Sequence, residues 1–465
     1  MRRAATALAA AALLAGCAAV GPDYQRPAIP LPAQYPQGDG GSAVLAADWW
    51  RSYGDATLTQ LVDKALAANA DIAQAAARVE LAEAQLREAS GAQQPALGAG
   101  ANAGRTQLGA AVPSNPYGVT VTGNDFKLSL SASYEIDFWG RLRRATEAAR
   151  AQLLASRAAR DTVRLTVAGA VAQGWFALRS LDEQALATRA TLSTREAGAR
   201  LAAERLKGGV GSALDAEQAE ILRADAALQL RELQRQRALA QSFLGLLTAD
   251  PALALPEGRL AADALPPQPP AGLPSALLER RPDIRRAEEL LVAANAQIGV
   301  ARAAMFPQVS LTGALGDESG ALSSLLKAPA RFWSAGFGLA LPLFDGGRNQ
   351  ARTDQAGARQ REAVGAYQAA VATAFKEVAD ALASLSAARE SQGEFVRRDA
   401  AAAHALKLAR ARFDAGYTGY LELLDAQRTA TAAQLDVVRN RQAQLNASVD
   451  LVKALGGGWE GRPGR

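Results

Sequence analysis

Two periods alternate along the chain. From about Leu58 to Ser90 apolar positions recur at helical spacing, until Pro95 in "GAQQPALG" forbids further helix. Two stretches of period two follow. Ala96 to Arg105 alternates weakly through Gly and Ala. In "KLSLSASYEIDFWG", Leu128, Leu130, Ala132, Tyr134, Ile136 and Phe138 face one way, and Lys127, Ser129, Ser131, Ser133, Glu135 and Asp137 the other. An apolar face backed by a hydroxyl and ionic face is the pattern of a strand with lipid on one side and water on the other. Helical spacing resumes at Gly140 and runs without Pro to Lys207-Gly208-Gly209, which predicts a helix of about 66 residues, roughly 100 Å long. A further helix is predicted from about Ala213 to Leu247.

The plan then starts again. "NADIAQAAARVELAEAQLREASGAQQPAL" aligns with "RPDIRRAEELLVAANAQIGVARAAMFPQV", with Asp71-Ile72 on Asp283-Ile284 and Pro95 on Pro307. Alternating strands follow from Val309 to Leu315 and through Ala335, Phe337, Leu339, Leu341 and Leu343. Gly140-Arg141 falls on Gly347-Arg348, and "RLKGGVGSALDAEQAE" at Arg205 on "RFDAGYTGYLELLDAQR" at Arg412, the same distance apart (412 − 205 = 207). The chain is therefore a tandem duplication, each copy reading helix, two strands, very long helix, Gly turn, helix. The two shorter helices of a copy, about 33 residues each, match its long one when stacked end to end. Such a wall puts the strands at one end and both Gly turns at the other. Four strands cannot close a membrane barrel, and an open sheet in lipid leaves each edge group unpaired at a cost of several kcal/mol. Closure then needs several copies of the chain, giving eight, twelve or sixteen strands for two, three or four.

Composition adds a compartment. "MRRAATALAAAALLAGCAAV" has a charged start, an apolar run and small residues, which marks a secretory signal too short to span a membrane. Leu14-Ala15-Gly16-Cys17 resembles the lipobox of bacterial lipoproteins, and Cys17 is the only cysteine of the chain. Cys17 is thus the expected lipidation site, and Ala18 rather than Asp directs such a lipoprotein to the outer membrane. The expected division is 1–16 signal peptide, 17–56 extended anchored tether, 57–248 first repeat, 249–274 Pro-rich linker, 275–455 second repeat and 456–465 tail. A net charge of +5, with Arg spread among Glu, Asp and Gln along helices, gives no footprint for nucleic acid. The one histidine, His404, lies mid-helix without a nucleophile, metal-ligand cluster or phosphate loop beside it. No enzyme activity, cofactor or metal site is expected.

The whole mature chain resembles the outer-membrane efflux lipoproteins of the OprM/NodT type, relatives of TolC. The motifs that carry the resemblance are "VGPDYQRP" after Cys17, "DWW" with "LTQLVDKALAANADI", "FWGRLRRATEAARAQ", "LLERRPDIRRAEELLVAANAQIGVARAAMFP", "LPLFDGGR" and "RFDAGYTGYLELLDAQR". The resemblance implies a mainly α fold with a membrane β-barrel part: a trimer whose twelve-stranded barrel, four strands per chain, joins a long helical periplasmic barrel with the linker in an equatorial belt. It implies an exit duct for small toxic compounds, working with a periplasmic adaptor and an inner-membrane pump of the resistance-nodulation-division class. Two other readings stay open from residues alone: a duct for protein secretion and a non-transporting periplasmic scaffold.

The Gly turns then become the periplasmic tips. Leu421, Asp425 and Arg428 sit at i, i+4 and i+7 of one helix and share a face. The resemblance makes Leu421 and Asp425 rings of a closed aperture, with Arg428 in the polar network beside them. A three-fold Leu ring is a dewetting constriction and an Asp ring a filter favouring cations. The plainer reading is a surface ion pair worth a few tenths of a kcal/mol. Gln218 and Ile221 occupy the positions of Asp425 and Arg428 in the first copy, so gating is expected of the second alone. Adaptor docking is expected on Arg205, Gly209, Val210, Ser212 and Leu214, and on Arg412, Gly416, Thr418 and Leu421, although for the glycines turn chemistry explains the residue equally well.

Overall fold

The computed structural model describes residues 19–30, 46–113, 116, 118–260 and 277–458. Cys17, the signal segment, part of the linker and the end of the tail lie outside the described residues. A 3₁₀ turn at Trp49–Tyr53 leads into α1 (Ala56–Ala68) and α2 (Ala70–Gly91). Strands β1 (Ala96–Leu108) and β2 (Val121–Ile136) precede α3 (Arg141–Lys207) and α4 (Ala213–Leu247). After one helical turn at Leu277–Arg280, the order recurs as α5 (Pro282–Ala303), β3 (Gln308–Ser319), β4 (Arg331–Ala340), α6 (Arg348–Asp414) and α7 (Tyr420–Ala454). The two long helices have 67 residues each and the two that follow them 35 each, so the copies match in length as well as in order.

The structure departs from the sequence reading in four places. The helix expected from Leu58 to Ser90 is broken at Asn69, which adopts an extended ψ of 132°. Its side-chain carbonyl accepts from the N–H groups of Asp71 and Ile72 at 2.9 and 3.3 Å, so Asn69 ends one helix and caps the next. Strand β2 stops at Ile136, because Asp137 turns to accept from the N–H of Arg143 and start α3; Phe138 is outside the ladder. Likewise β4 ends at Ala340, leaving Leu341 and Leu343 in the loop before α6. The 46–56 end of the expected tether is also packed, since Trp49, Trp50 and Tyr53 are buried. Two indoles and a phenol are too large an apolar area to leave in water.

Two compact units are present. One holds residues up to Ala28, Arg78–Arg157 and Arg286–Gln368, and contains the sheet. Its strands run antiparallel in the order β1-β2-β3-β4, leaving β1 and β4 as edges. Register decides what each face carries. Leu130 pairs with Leu315 and Leu315 with Trp333; Tyr134 pairs with Leu311 and Leu311 with Phe337. The opposite face brings Ser131, Ala314 and Ser334 into one row, and Lys127 opposite Glu318 with an ion pair of 2.8 Å. One face is thus mainly apolar, giving way to Arg105, Asn124, Asp317 and Arg331 towards the far end, and the other mainly small and polar apart from Phe332. No helix among the described residues is long and apolar enough to cross a membrane.

The same unit holds the segment after Cys17 as a strap. The N–H of Val20 donates to the carbonyl of Trp139 at 2.9 Å, and Asn295 donates to the carbonyl of Pro22 at 2.8 Å. Asp23 pairs with Arg144 at 2.6 Å, while Arg26 grips Glu288 with two hydrogen bonds of 2.7 and 2.9 Å. The Tyr24 hydroxyl also donates to Glu288, and burial followed by the Glu288 charge pushes its ionisation up. Gly21, at φ 111°, lies against Gly299, where a Cβ would collide with backbone.

The second unit comprises Ile29–Ala77, Ala158–Arg285 and Ala369–Arg465. Its core joins Trp49, Trp50, Tyr53, Leu58 and Val62 to Val171, Trp175, Phe176 and Leu178 of α3, Leu244 of α4 and Val449 of α7. The described part of the linker is fastened to it. Buried Asp182 pairs with Arg237 at 2.5 Å and accepts from the N–H of Gly258, and Arg179, stacked on Trp175, donates to the carbonyl of Pro256. Burial lowers the pKa of Arg179 from the usual guanidinium value.

Candidate functional site at the two Gly turns

Both Gly turns end their long helix in the same way. In the first, the N–H of Val210 donates to the carbonyl of Arg205 and that of Gly209 to Leu206, with Gly209 at φ 74°. In the second, the N–H of Tyr417 donates to Arg412 and that of Gly416 to Phe413, with Gly416 at φ 78°. This is the Schellman pattern, in which a left-handed residue folds the last turn back onto orphan carbonyls. The turns then differ. Ser212 caps α4 by accepting from the N–H of Leu214 at 3.1 Å, whereas Gly419, at the matching place before α7, has no side chain to offer.

Each turn exposes an apolar pair at equivalent positions, Val210 and Leu214 in the first, Tyr417 and Leu421 in the second. Leu421 is 67% exposed, so its neighbours in this chain do not account for it. Asp425 and Arg428 form an ion pair of 2.8 Å along α7, with side chains 65% and 74% exposed. As an exposed i,i+3 pair it contributes about 0.5 kcal/mol at most to the helix. Arg412 reaches Glu422 at 3.6 Å across the second turn. The Thr418 hydroxyl is buried without a hydrogen-bond partner.

The structure also brings in residues that the sequence did not single out. Phe413 and Tyr420 pack at 5.4 Å between ring centres, and the Arg205 guanidinium lies 5.7 Å over the Phe413 ring. An arginine of the first turn thereby meets an aromatic of the second. Between the turns lies a groove of about 460 Å³, with Arg205, Val210, Ser212 and Leu423 among its walls. Tyr420 stands where the first copy has Ala213, so the comparison of copies that exposed Asp425 carried this signal too. No cluster of metal-ligating side chains occurs among the described residues.

Comparison with known proteins follows the same lines. The family model "Outer membrane efflux protein" matches residues 61–249 and 273–457, one stretch in each copy. Outer membrane protein OprJ of Pseudomonas aeruginosa is 37% identical over 97% of this chain and 95% of its own length. Cation efflux system protein CusC of Escherichia coli is 35% identical over 96% and 97%. Among solved structures, the Campylobacter jejuni CmeC outer membrane channel superposes with a TM-score of 0.91 at 28% identity, covering 95% of this chain and 96% of that one. With both copies matched and the fold shared along almost its full length, the chain belongs to the outer membrane efflux protein family of the OprM/TolC type, a family of channels and not of enzymes.

Proposed function

We propose that three copies of this chain close their sheets into a twelve-stranded outer-membrane barrel and act as the exit duct of a tripartite efflux pump. The observation that carries the reading is the sheet of one chain, apolar on one face and polar on the other, with β1 and β4 left as edges. In lipid those edges require partners, and strands of further copies supply them. The number three comes from the family resemblance. In this reading the polar face, with Ser129, Ser131 and the Lys127–Glu318 pair, lines the lumen. The acylated Cys17 adds a lipid anchor, and an inner-membrane pump delivers small toxic compounds through a periplasmic adaptor.

The Gly turns serve in two ways. Leu421, Asp425 and Arg428 form the aperture, with symmetry bringing three copies of each together. The adaptor docks across Arg205, Gly209, Val210, Ser212 and Leu214 of the first turn and Arg412, Gly416 and Thr418 of the second. Four exposed apolar side chains at the turns support docking, because bare apolar area in a cluster marks an interaction surface. The test is conductance of the purified full chain in a planar bilayer. Discrete channel steps are expected; a protein that inserts and never conducts sinks the duct reading in favour of a scaffold.

A further inference from the structure

In the sheet-bearing unit, a groove of about 840 Å³ runs between the end of α5 and the first four turns of α6. Ile298, Met305 and Phe306 give its lining an apolar part. Its walls carry two cations, Arg302 and Arg361, and neither has an ion pair among the described residues. The one carboxylate there, Asp354, accepts a hydrogen bond from Gln350 at 2.9 Å. Gly357 also lines the groove, and a Cβ there would stand 3.7 Å from Nη1 of Arg361. Apolar side chains beside two arginines and a single carboxylate fit a ligand with a hydrocarbon part and an anionic head.

The surroundings say which one. Phe306 stacks on Trp139 at 4.7 Å, and Trp139 donates its indole N–H to the carbonyl of Pro307, directly at the foot of β3. The loop entering α6 presents Leu343 and Phe344 almost bare, 90% and 94% exposed. Aromatic rings, bare apolar side chains and arginines at one end of a membrane sheet are the features of a lipid headgroup boundary. Val20 of the strap also lines the groove, and it stands only three positions after Cys17, a reach of about 10 Å.

We infer that this groove holds an anionic glycerophospholipid of the inner leaflet of the outer membrane, its phosphate on Arg302 and Arg361 and its acyl chains over Met305 and Phe306. The inference rests on the proposal that the sheet lies in that membrane. The site would seat each chain on a bound lipid beside its own covalent anchor. Phosphatidylglycerol is the probe, titrated into the detergent-solubilised full chain and counted by native mass spectrometry against phosphatidylcholine. Wild type is expected to retain one phosphatidylglycerol per chain. The double variant Arg302→Gln/Arg361→Gln should bind about tenfold or more weakly, for the loss of two interfacial cations. Gly357→Leu, which adds bulk to the groove beside Arg361 and keeps both charges, should lose the adduct as well.

Equal retention by wild type and both variants overturns the inference. So does a Gly357→Cys chain that is cross-linked to a second copy by a short bismaleimide, since the groove is then an interface between chains. Conductance, measured on the same samples, tests the duct separately: lipid counts judge the groove whether or not the protein conducts. The arginine variants should conduct as wild type does.

Discussion

Arg281 donates from its guanidinium to the main-chain carbonyl of Ala454, the last residue of α7, at 2.9 Å. Asn69 does the same to the carbonyl of Leu247, the last residue of α4, at 3.0 Å. The two donors are equivalent in the repeat, as are the two acceptors. In each copy the residue at the break before the Asp-Ile motif thus closes the far end of that copy's final helix. Arg281 is the stronger version. Only 7% of its side chain is exposed, it pairs with Asp283 and Glu377 at 2.5 and 2.7 Å, and these carboxylates hold its pKa above the usual guanidinium value despite burial.

Removing either donor leaves a helix-end carbonyl without its partner. Arg281→Ala should destabilise the helical unit by about 2 kcal/mol, from that carbonyl and the lost packing. Asn69→Ala should cost about 1–2 kcal/mol, from the cap and the same kind of bond. Thermal loss of helical circular dichroism in detergent measures both, and Arg281→Ala should melt earlier.

Glu288 receives both Tyr24 and Arg26, so it is the anchor point of the strap. Glu288→Ala should speed amide exchange at Val20 and Gly21 by about five- to thirtyfold, corresponding to about 1–2 kcal/mol of local opening. Unchanged exchange would mean that the Asp23–Arg144 pair and the Asn295 bond suffice.

Asp425 has no counterpart in the first copy, where Gln218 stands. With the gate as proposed, Asp425→Ala should raise single-channel conductance and reduce cation preference, while Gln218→Ala should do neither. Two indistinguishable traces would leave Asp425–Arg428 as a helix-surface pair.

Acid should loosen the described linker. Lys64 holds the Asp250 carboxyl below its usual range, and Arg189 does the same for Glu257. A carboxylate whose folded pKa is depressed contributes stability above its unfolded pKa and loses it as pH falls through the folded one. Exchange or protease nicking across 249–260 should therefore be slow at neutral pH and rise as pH drops below about 4. High salt at neutral pH should produce a weaker version of the same change, because both pairs are exposed.

Helices, strands and the duplication were legible in the residues because each depends on near neighbours. Periods of 3.6 and two, Pro95 and Pro307 after the short helices, and Gly209 and Gly416 at matching left-handed positions are all local signals. Two copies compared with each other also singled out Asp425 without any structure. Breaks and partners were less visible. Asn69 reads as an ordinary polar residue of a helix until its side chain is seen to cap one end and reach Leu247, 178 residues away. Glu288 reads as one more helix-surface acid until the strap crosses it. Such contacts join positions remote in the chain, and their strength comes from burial and direction, neither of which a residue type carries. Sequence alone thus determined which segments alternate as two-faced strands, which are long helices and that the plan occurs twice. Tertiary structure alone decided the strand register, the clamps on strap and linker, and the meeting of Arg205 with Phe413, because loop closure and packing select partners that local propensity leaves equal.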